Sequence, residues 1–297
     1  MTAIAVFGSA NMDLVAYGGE RPGGGETVTG REFRAVPGGK GANQAIAAAR
    51  AGAHVRFAGA VGDDDFGPRL RATLVQAGVD VSRLRTVPGA SGIAHIVVDE
   101  AGGNSIIVVP GANAAVTAPE PADLAGCAAL LLQLELPMPA VLAAAGAARA
   151  AGVPVALTPA PVRDLPGDLL ARVDLLIPNE HEAAKITGVA DPERALAALL
   201  ERVPAAVITL GDRGALYGAR GAEPLRVAAP KVRAVDTTAA GDTFAGALAV
   251  ARAERLPPAA ALRFAAAAAA LSVRTAGAST SMPSRPDIDA FLRAASA

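Results

Sequence analysis

The sequence predicts an open, mostly parallel α/β sheet covered by helices, with a smaller β sheet beside it. Short apolar runs at 128–134, 153–157, 175–177 and 207–209 alternate with longer alanine-rich runs such as 140–151 and 245–253. Strands that read as continuous apolar runs are buried on both faces, and their alternation with helices implies a parallel sheet. Polar or glycine-rich residues follow several strands in turn: Glu135, Thr158-Pro159-Ala160-Pro161, Asn179-Glu180-His181-Glu182 and Leu210-Gly211-Asp212-Arg213-Gly214. That recurrence places polar chemistry along one sheet edge, where open α/β sheets bind ligands. The 297 residues are 52% hydrophobic, which suits a large core and excludes a disordered chain.

Taken in order, residues 3–7 read as a buried strand ended by Gly8-Ser9. Asn11 and Asp13 are expected just past it, where they suit either a vicinal diol, by donating and accepting hydrogen bonds, or a solvated turn. Pro37-Gly38-Gly39-Lys40-Gly41-Ala42-Asn43-Gln44 precedes a helix of small residues at 45–51. It is not a Walker A loop, because Gly41 stands where Ser or Thr should follow the lysine. Its glycines permit close backbone approach to a small polar ligand, or simply make a tight turn.

Residues 55–61 read as a second core strand, and Gly62-Asp63-Asp64-Asp65 leads into a helix ending near 77. Acids at a helix start are favoured by its dipole, and that reading outweighs a metal site. Residues 28–36, 91–98 and 105–109 are β-rich, with a turn expected at Gly102-Gly103-Asn104, and can form a small separate sheet. Asn179 and Glu182 lie three apart at a helix start, so they share a face. They suit either a magnesium–water–phosphate shell or a helix cap. Thr209 to Gly214 reads as a strand and turn.

Asp236-Thr237-Thr238-Ala239-Ala240-Gly241-Asp242-Thr243-Phe244 joins an extended run, 225–235, to the helical run 245–253. A helix start has unpaired N–H groups and the positive end of the dipole, which together favour an anion such as phosphate. Asp242 in that turn is placed to take a proton from a hydroxyl attacking the phosphate; the plainer alternative is a capping aspartate.

Asp236 to Asp242 resembles the C-terminal signature D-T-x-x-A-G-D of the ribokinase-like sugar kinases, the PfkB family. Gly38-Gly39-Lys40-Gly41-Ala42-Asn43 resembles its N-terminal signature, Asn179 to Glu182 its N-x-x-E motif, and Thr209 to Gly214 its nucleotide-binding turn T-x-G-x-x-G. The resemblance runs from Gly8 to Pro283. It implies a single ribokinase-like domain over 1–297, with a β lid built from strands within about 10–36 and 91–110. It implies Asp242 as catalytic base, with Ala239, Ala240 and Gly241 forming the anion hole. Sugar contacts are implied at Asn11, Asp13, Gly39, Lys40, Gly41, Asn43, Glu135 and Asp242, and nucleotide contacts at Asn179, Thr209, Gly211, Gly214 and Gly241. Glu182 is implied for Mg²⁺, and Asp236, Thr238, Ser272, Thr275, Gly277 and Ser281 for an activating K⁺.

Gly25-Glu26-Thr27-Val28-Thr29-Gly30, Gln133-Leu134-Glu135 and Thr158-Pro159-Ala160-Pro161 resemble the ribose-phosphorylating branch, the last departing from Asn-Pro-Ala-Pro at Thr158. The implied reaction is ATP-dependent phosphorylation of D-ribose at its 5-hydroxyl. The alternatives are a family kinase of deoxyribose, fructose or a nucleoside, or a non-catalytic sugar-binding protein on the same fold. A dehydrogenase is disfavoured by the missing dinucleotide fingerprint.

A net charge of −1 gives no electrostatic case for nucleic acid or an anionic membrane, and with 3% aromatics there is little for bases to stack on. One cysteine, Cys127, excludes an intramolecular disulfide framework. No secretory leader or membrane span is read, so the expectation is a cytoplasmic enzyme of small-molecule sugar and nucleotide, homodimeric through its lid.

Overall fold

The computed structural model describes residues 2–18, 20–100 and 103–295. The chain opens with β1 (Ala3–Phe7), then makes an excursion through β2 (Asn11–Gly18) and β3 (Gly30–Gly38). It returns through α1 (Lys40–Arg50), β4 (His54–Gly62), α2 (Phe66–Gln76) and β5 (Asp80–Val87), and leaves again for β6 (Gly92–Val98) and β7 (Asn104–Val109). After a short α3 (Pro121–Leu124) the alternation is regular: β8 (Ala129–Leu132), α4 (Met138–Ala150), β9 (Val155–Leu157), α5 (Gly167–Leu170), β10 (Leu175–Leu176), α6 (Glu180–Thr187), α7 (Pro192–Arg202) and β11 (Ala205–Thr209). A hairpin of β12 (Ala215–Ala219) and β13 (Leu225–Val227) follows, then α8 (Ala240–Ala253), α9 (Pro258–Ser272) and α10 (Arg285–Ala295).

These strands form two sheets. The larger has nine strands in the order β13-β12-β11-β10-β9-β8-β1-β4-β5. It is parallel from β11 to β5; β12 runs against these strands, and β13, antiparallel to β12, runs with them. The smaller has the order β3-β2-β6-β7.

Side chains alternate across a strand, so β1 feeds both faces of the large sheet: Ile4 and Val6 join one core, Ala5 and Phe7 the other. Helices α1, α8 and α9 cover the first face, while α4 covers the second with Val141, Ala144, Ala145 and Ala148. Helix α8 is buried on nearly every side, which explains why Arg252 in its last turn is its only polar residue after the first. It lies against α1 at Gly246, where a Cβ would come within 2.7 Å of the Gln44 carbonyl oxygen. That close approach sets the first turns of α1 and α8 beside each other.

The structure departs from sequence expectation in four places. Asn11 and Asp13 are not in a loop past β1; they belong to β2, paired with Gly38 and Val36 of β3 and with Gly92 and Ala94 of β6. The pairing partners are remote in sequence, and the burial along β2, with Met12 and Val15 buried three positions apart, does not alternate, so the strand gave no period-two signal. Strand β5 was not anticipated, because it is an edge strand that carries Arg83 and Arg85 facing solvent. Strand β12 was also missed. The extended run 225–235 is a strand only over Leu225–Val227. Of the turn expected at 102–104, Gly102 lies outside the described residues; Gly103 donates its N–H to Asp99 Oδ1 at 2.7 Å. No helix among the described residues is long and apolar enough to cross a membrane.

Candidate active site

Asp242 occupies the first turn of α8 and is buried. Its Oδ2 accepts from Asn43 Nδ2 and its Oδ1 from Gln44 Nε2, both at 3.1 Å. Burial pushes its carboxyl pKa up, and the Lys40 charge and the two amide donors work against that shift. A carboxylate with raised proton affinity in a dry site is well matched to proton abstraction. The residue before the helix, Ala239, has φ 58°, in the left-handed region. A non-glycine there costs about 1–2 kcal/mol, a strain characteristic of functional turns. Thr243 holds the turn, donating to the Ala239 carbonyl from both its N–H and its hydroxyl, at 2.8 and 2.9 Å. Ala240 N–H donates to the Thr237 carbonyl at 3.2 Å. A helix start lacks preceding helical carbonyls for its first amides, the feature that made Ala240 and Gly241 candidates for an anion site.

The start of α1 lies opposite. Gly41 packs backbone to backbone on Gly8, where a Cβ would lie 2.5 Å from the Gly8 Cα. The fit lets Ala42 N–H donate to the Ser9 carbonyl at 2.9 Å. Glu135, three residues past β8, gathers this corner through Oε2, which accepts from Ser9 Oγ at 2.5 Å, Lys40 N–H at 3.0 Å and Asn11 Nδ2 at 3.4 Å. Asn11 Oδ1 in turn accepts from Asn113 Nδ2 at 2.7 Å, and Ala10 N–H donates to Asn113 Oδ1 at 3.1 Å. Asn11 and Glu135 are thus engaged within the protein and hold the corner in shape.

Asp13, Lys40 and Asn43 differ from that pair. No described residue donates a hydrogen bond to the Asp13 side chain or lies within ion-pair distance of the Lys40 ammonium. The Asn43 side-chain oxygen is buried without a partner. Burial raises the Asp13 pKa to about 7, with the Glu135 and Asp242 charges adding to the shift and Lys40 opposing it. Burial disfavours the charged form of Lys40, yet Asp242, Glu135, Glu182 and Asp13 together hold its pKa above the ordinary value. An acceptor, a cation and a buried amide oxygen therefore converge beside Asp242 with their capacity unspent, which is unusual unless a ligand supplies the partners.

A cavity of about 470 Å³ opens on the other side of the α8 start, lined by Thr209, Gly211, Gly214, Ala240 and Gly241 among others. The expected nucleotide residues meet there, except Asn179. Asn179 caps α6 instead: Glu182 N–H donates to its Oδ1, and its own N–H donates to Glu182 Oε2, both at 2.8 Å. It adjoins the cavity only through its parallel bridge to Thr209. The Glu182 pKa is raised, chiefly by burial, and Lys40 and Asp242 act on it electrostatically, so its carboxylate faces the same centre. Among the described residues no group of three or more His, Cys, Asp or Glu side chains could by itself hold a metal.

Asp236 ties two loops together. Its Oδ1 accepts from Thr238 N–H and its Oδ2 from Gly277 N–H, each at 2.9 Å. Burial raises its pKa, but these bonds and Arg34 prevail and hold it low. Ser272 and Ser281 spend their hydroxyl hydrogens on the carbonyls of Ala269 and Ala278, each at 2.9 Å. Thr275 N–H reaches the Ser272 carbonyl at 3.5 Å.

The profile of the pfkB family carbohydrate kinases matches residues 1–285. The chain belongs to that family. It is 43% identical to the ribokinase of Bacillus subtilis over 303 residues, covering 98% of this chain and all of that one. It is 41% identical to the ribokinase of Schizosaccharomyces pombe, with 97% of each chain covered. The structure of Arabidopsis thaliana ribokinase complexed with ribose and ATP superposes with a TM-score of 0.92 at 35% identity, covering 99% of both chains. The fold is therefore ribokinase-like.

Three polar residues of this pfkB-family site went unrecognised in the sequence. Ser9 and Asn113 fix the corner around Glu135 and Asn11. Gln44 links Asp242 to Thr158 Oγ1 at 3.2 Å and accepts from Gln133 Nε2 at 2.6 Å. The signal for Gln44 was a polar side chain in an otherwise alanine-rich helix; for Asn113 there was none, because its partners lie about a hundred residues away.

Proposed function

We propose that this chain is an ATP-dependent kinase that phosphorylates the 5-hydroxyl of D-ribose, giving ribose 5-phosphate and ADP. The observation that carries the reading is the placement of buried Asp242 between two unequal sites. On one side lie Asp13, Lys40 and Asn43 with unspent hydrogen-bonding capacity; on the other is the cavity beside Ala240 and Gly241. Asp13 and the Asn43 oxygen accept from sugar hydroxyls, and the backbone at Gly39 and Gly41 closes against the ring. Asp242 removes the proton of the attacking hydroxyl. Its oxygen forms a bond to the γ-phosphorus as the bond to the β-phosphate oxygen breaks. Ala239, Ala240 and Gly241 supply the anion hole, and Lys40 adds charge. The sugar and nucleotide named in the Arabidopsis thaliana complex agree with this division.

Magnesium is proposed to enter with the nucleotide. Glu182 spends Oε2 on its cap and keeps Oε1, which fits an ion that takes one or two carboxylates and fills its shell with water and phosphate. The loops joined by Asp236 offer only oxygens from carboxylate, hydroxyl and carbonyl groups, a donor set that fits K⁺ held from Asp236, Thr238, Ser272, Thr275, Gly277 and Ser281. A cation there orders the backbone leading into Ala239.

The four-stranded sheet is proposed as the lid of one domain comprising the whole chain. Its edge strand β7 is exposed along its length, with Ile107 at 68%, and Phe33 of β3 is also exposed. An apolar, unpaired edge is an association surface, and a second copy of the chain is the occupant proposed. The enzyme is assigned to the cytoplasm, where its triphosphate donor is made.

The test is ADP release across a panel of pentoses, hexoses and nucleosides. D-ribose is expected to give the highest kcat/KM. Preference for deoxyribose, fructose or a nucleoside moves the chain to another branch of the family, and silence across the panel, with sugar still bound, makes it a binding protein.

A further inference from the structure

We infer that the nucleotide cavity accepts purine nucleoside triphosphates other than ATP, GTP and ITP among them, because it holds the base by shape and apolar contact. The inference rests on the kinase reading above. One wall is a face of α9 made of Ala266, Ala269 and Ala270, continued by Val273 just past the helix end, all spaced as neighbours on one side of a helix. These residues leave a smooth wall with room above it and no polar side-chain atom.

The polar side chains lining the cavity are Thr209, Thr237, Asp212 and Lys231. Thr237 leads into the Ala240–Gly241 turn, at the phosphate end. The Thr209 hydroxyl can rotate to donate or accept, so it serves a 6-amino and a 6-oxo group equally. Asp212 and Lys231 have fixed polarity but are exposed, where water competes for the same bonds. The lining includes no Asn, Gln, Arg, His or Glu side chain among the described residues.

Adenine, guanine and hypoxanthine differ in the donors and acceptors on their edges. A site built to pair with one such edge rejects the others by about 10⁴–10⁵-fold, because its own buried polar groups are stranded; an apolar pocket discriminates by only about 10–200-fold. This cavity belongs to the second kind.

The test has two arms. Initial rates with saturating D-ribose are measured with ATP, GTP, ITP and CTP as donors, and ADP, GDP and IDP are titrated calorimetrically into the enzyme without sugar. The three purine donors are expected within about 100-fold of one another in kcat/KM, with the diphosphate affinities in the same range. CTP, which covers less of the alanine wall, is expected to be the poorest donor. GDP and IDP binding more than about 10³-fold weaker than ADP overturns the inference, whatever the rates. If all three diphosphates bind alike while no donor phosphorylates ribose, the inference holds and the ribose kinase reading fails.

Discussion

Replacing Asp242 by Asn separates chemistry from structure at this site. The substitution exchanges one carboxylate oxygen for an NH₂ group, which must face one of two amide donors, Asn43 Nδ2 or Gln44 Nε2. Gln44 cannot turn over, since its oxygen accepts from Gln133 and its nitrogen also serves Thr158. Asn43 can: its side-chain oxygen has no partner, and a flip brings that oxygen to the new NH₂ group. Both hydrogen bonds are then restored, and the burial penalty of a charge is removed. The expected change in stability for Asp242→Asn is therefore within about 1 kcal/mol, the worth of a single hydrogen bond. The variant has no base, however, so kcat is expected to fall about 10²–10⁴-fold, equivalent to roughly 2.7–5.4 kcal/mol of barrier. Steady-state ADP release, sugar binding by calorimetry and thermal unfolding measure the three quantities. A kcat within tenfold of the unaltered protein would falsify the base assignment. A large loss of melting temperature would show that the carboxylate serves mainly to hold α1 against α8.

Four further outcomes are expected. Asp13 has a pKa of about 7, so its carboxylate form grows from about a tenth to about nine tenths between pH 6 and pH 8, and the ribose KM should fall by up to about tenfold over that range; a flat profile removes Asp13 from the sugar site. The same raised pKa means that Asp13 contributes stability fully below its unfolded value of 3.8 and loses that contribution as pH rises through about 7. Asp13→Asn should therefore raise the melting temperature more at pH 8 than at pH 5, and an equal change at both would refute the burial argument. Initial rates in K⁺-free buffer, with choline holding ionic strength, should rise on K⁺ titration and less on Na⁺; no response would make the loops joined by Asp236 purely structural. Ile107→Lys should convert a dimer to a monomer in sedimentation, since it places charge in the middle of the exposed β7 edge, and an unchanged mass would exclude that edge as the interface.

The sequence by itself determined the parts of this protein that depend on neighbours in the chain. Apolar runs of strand length, glycines at Gly38–Gly41 and a helix start at Asp242 are local features, so the α/β architecture and the position of that helix start were legible from spacing, while the roles of base and anion turn came from the family resemblance and belong to the proposal. The capping geometry of Asn179 and Glu182 was legible as one of two alternatives, and only the folded structure showed that Asn179 Oδ1 and Glu182 Oε2 are spent on the cap while Glu182 Oε1 is not. What tertiary structure decided is everything that depends on remote segments meeting. Asn11 and Asp13 proved to be strand residues of the smaller sheet because β2 pairs with β3 and β6, and no local pattern announces such partners. Asn43 and Asp242, 199 residues apart, meet because Gly246 lets α8 lie against α1. Lys40 keeps its charge in a partly dry site only because the fold surrounds it with Asp13, Glu135, Glu182 and Asp242, drawn from four separate elements. Hydrogen bonds and charges act over a few ångströms in space and ignore distance along the chain, so the partners of a buried polar group become known only once the chain has closed on itself.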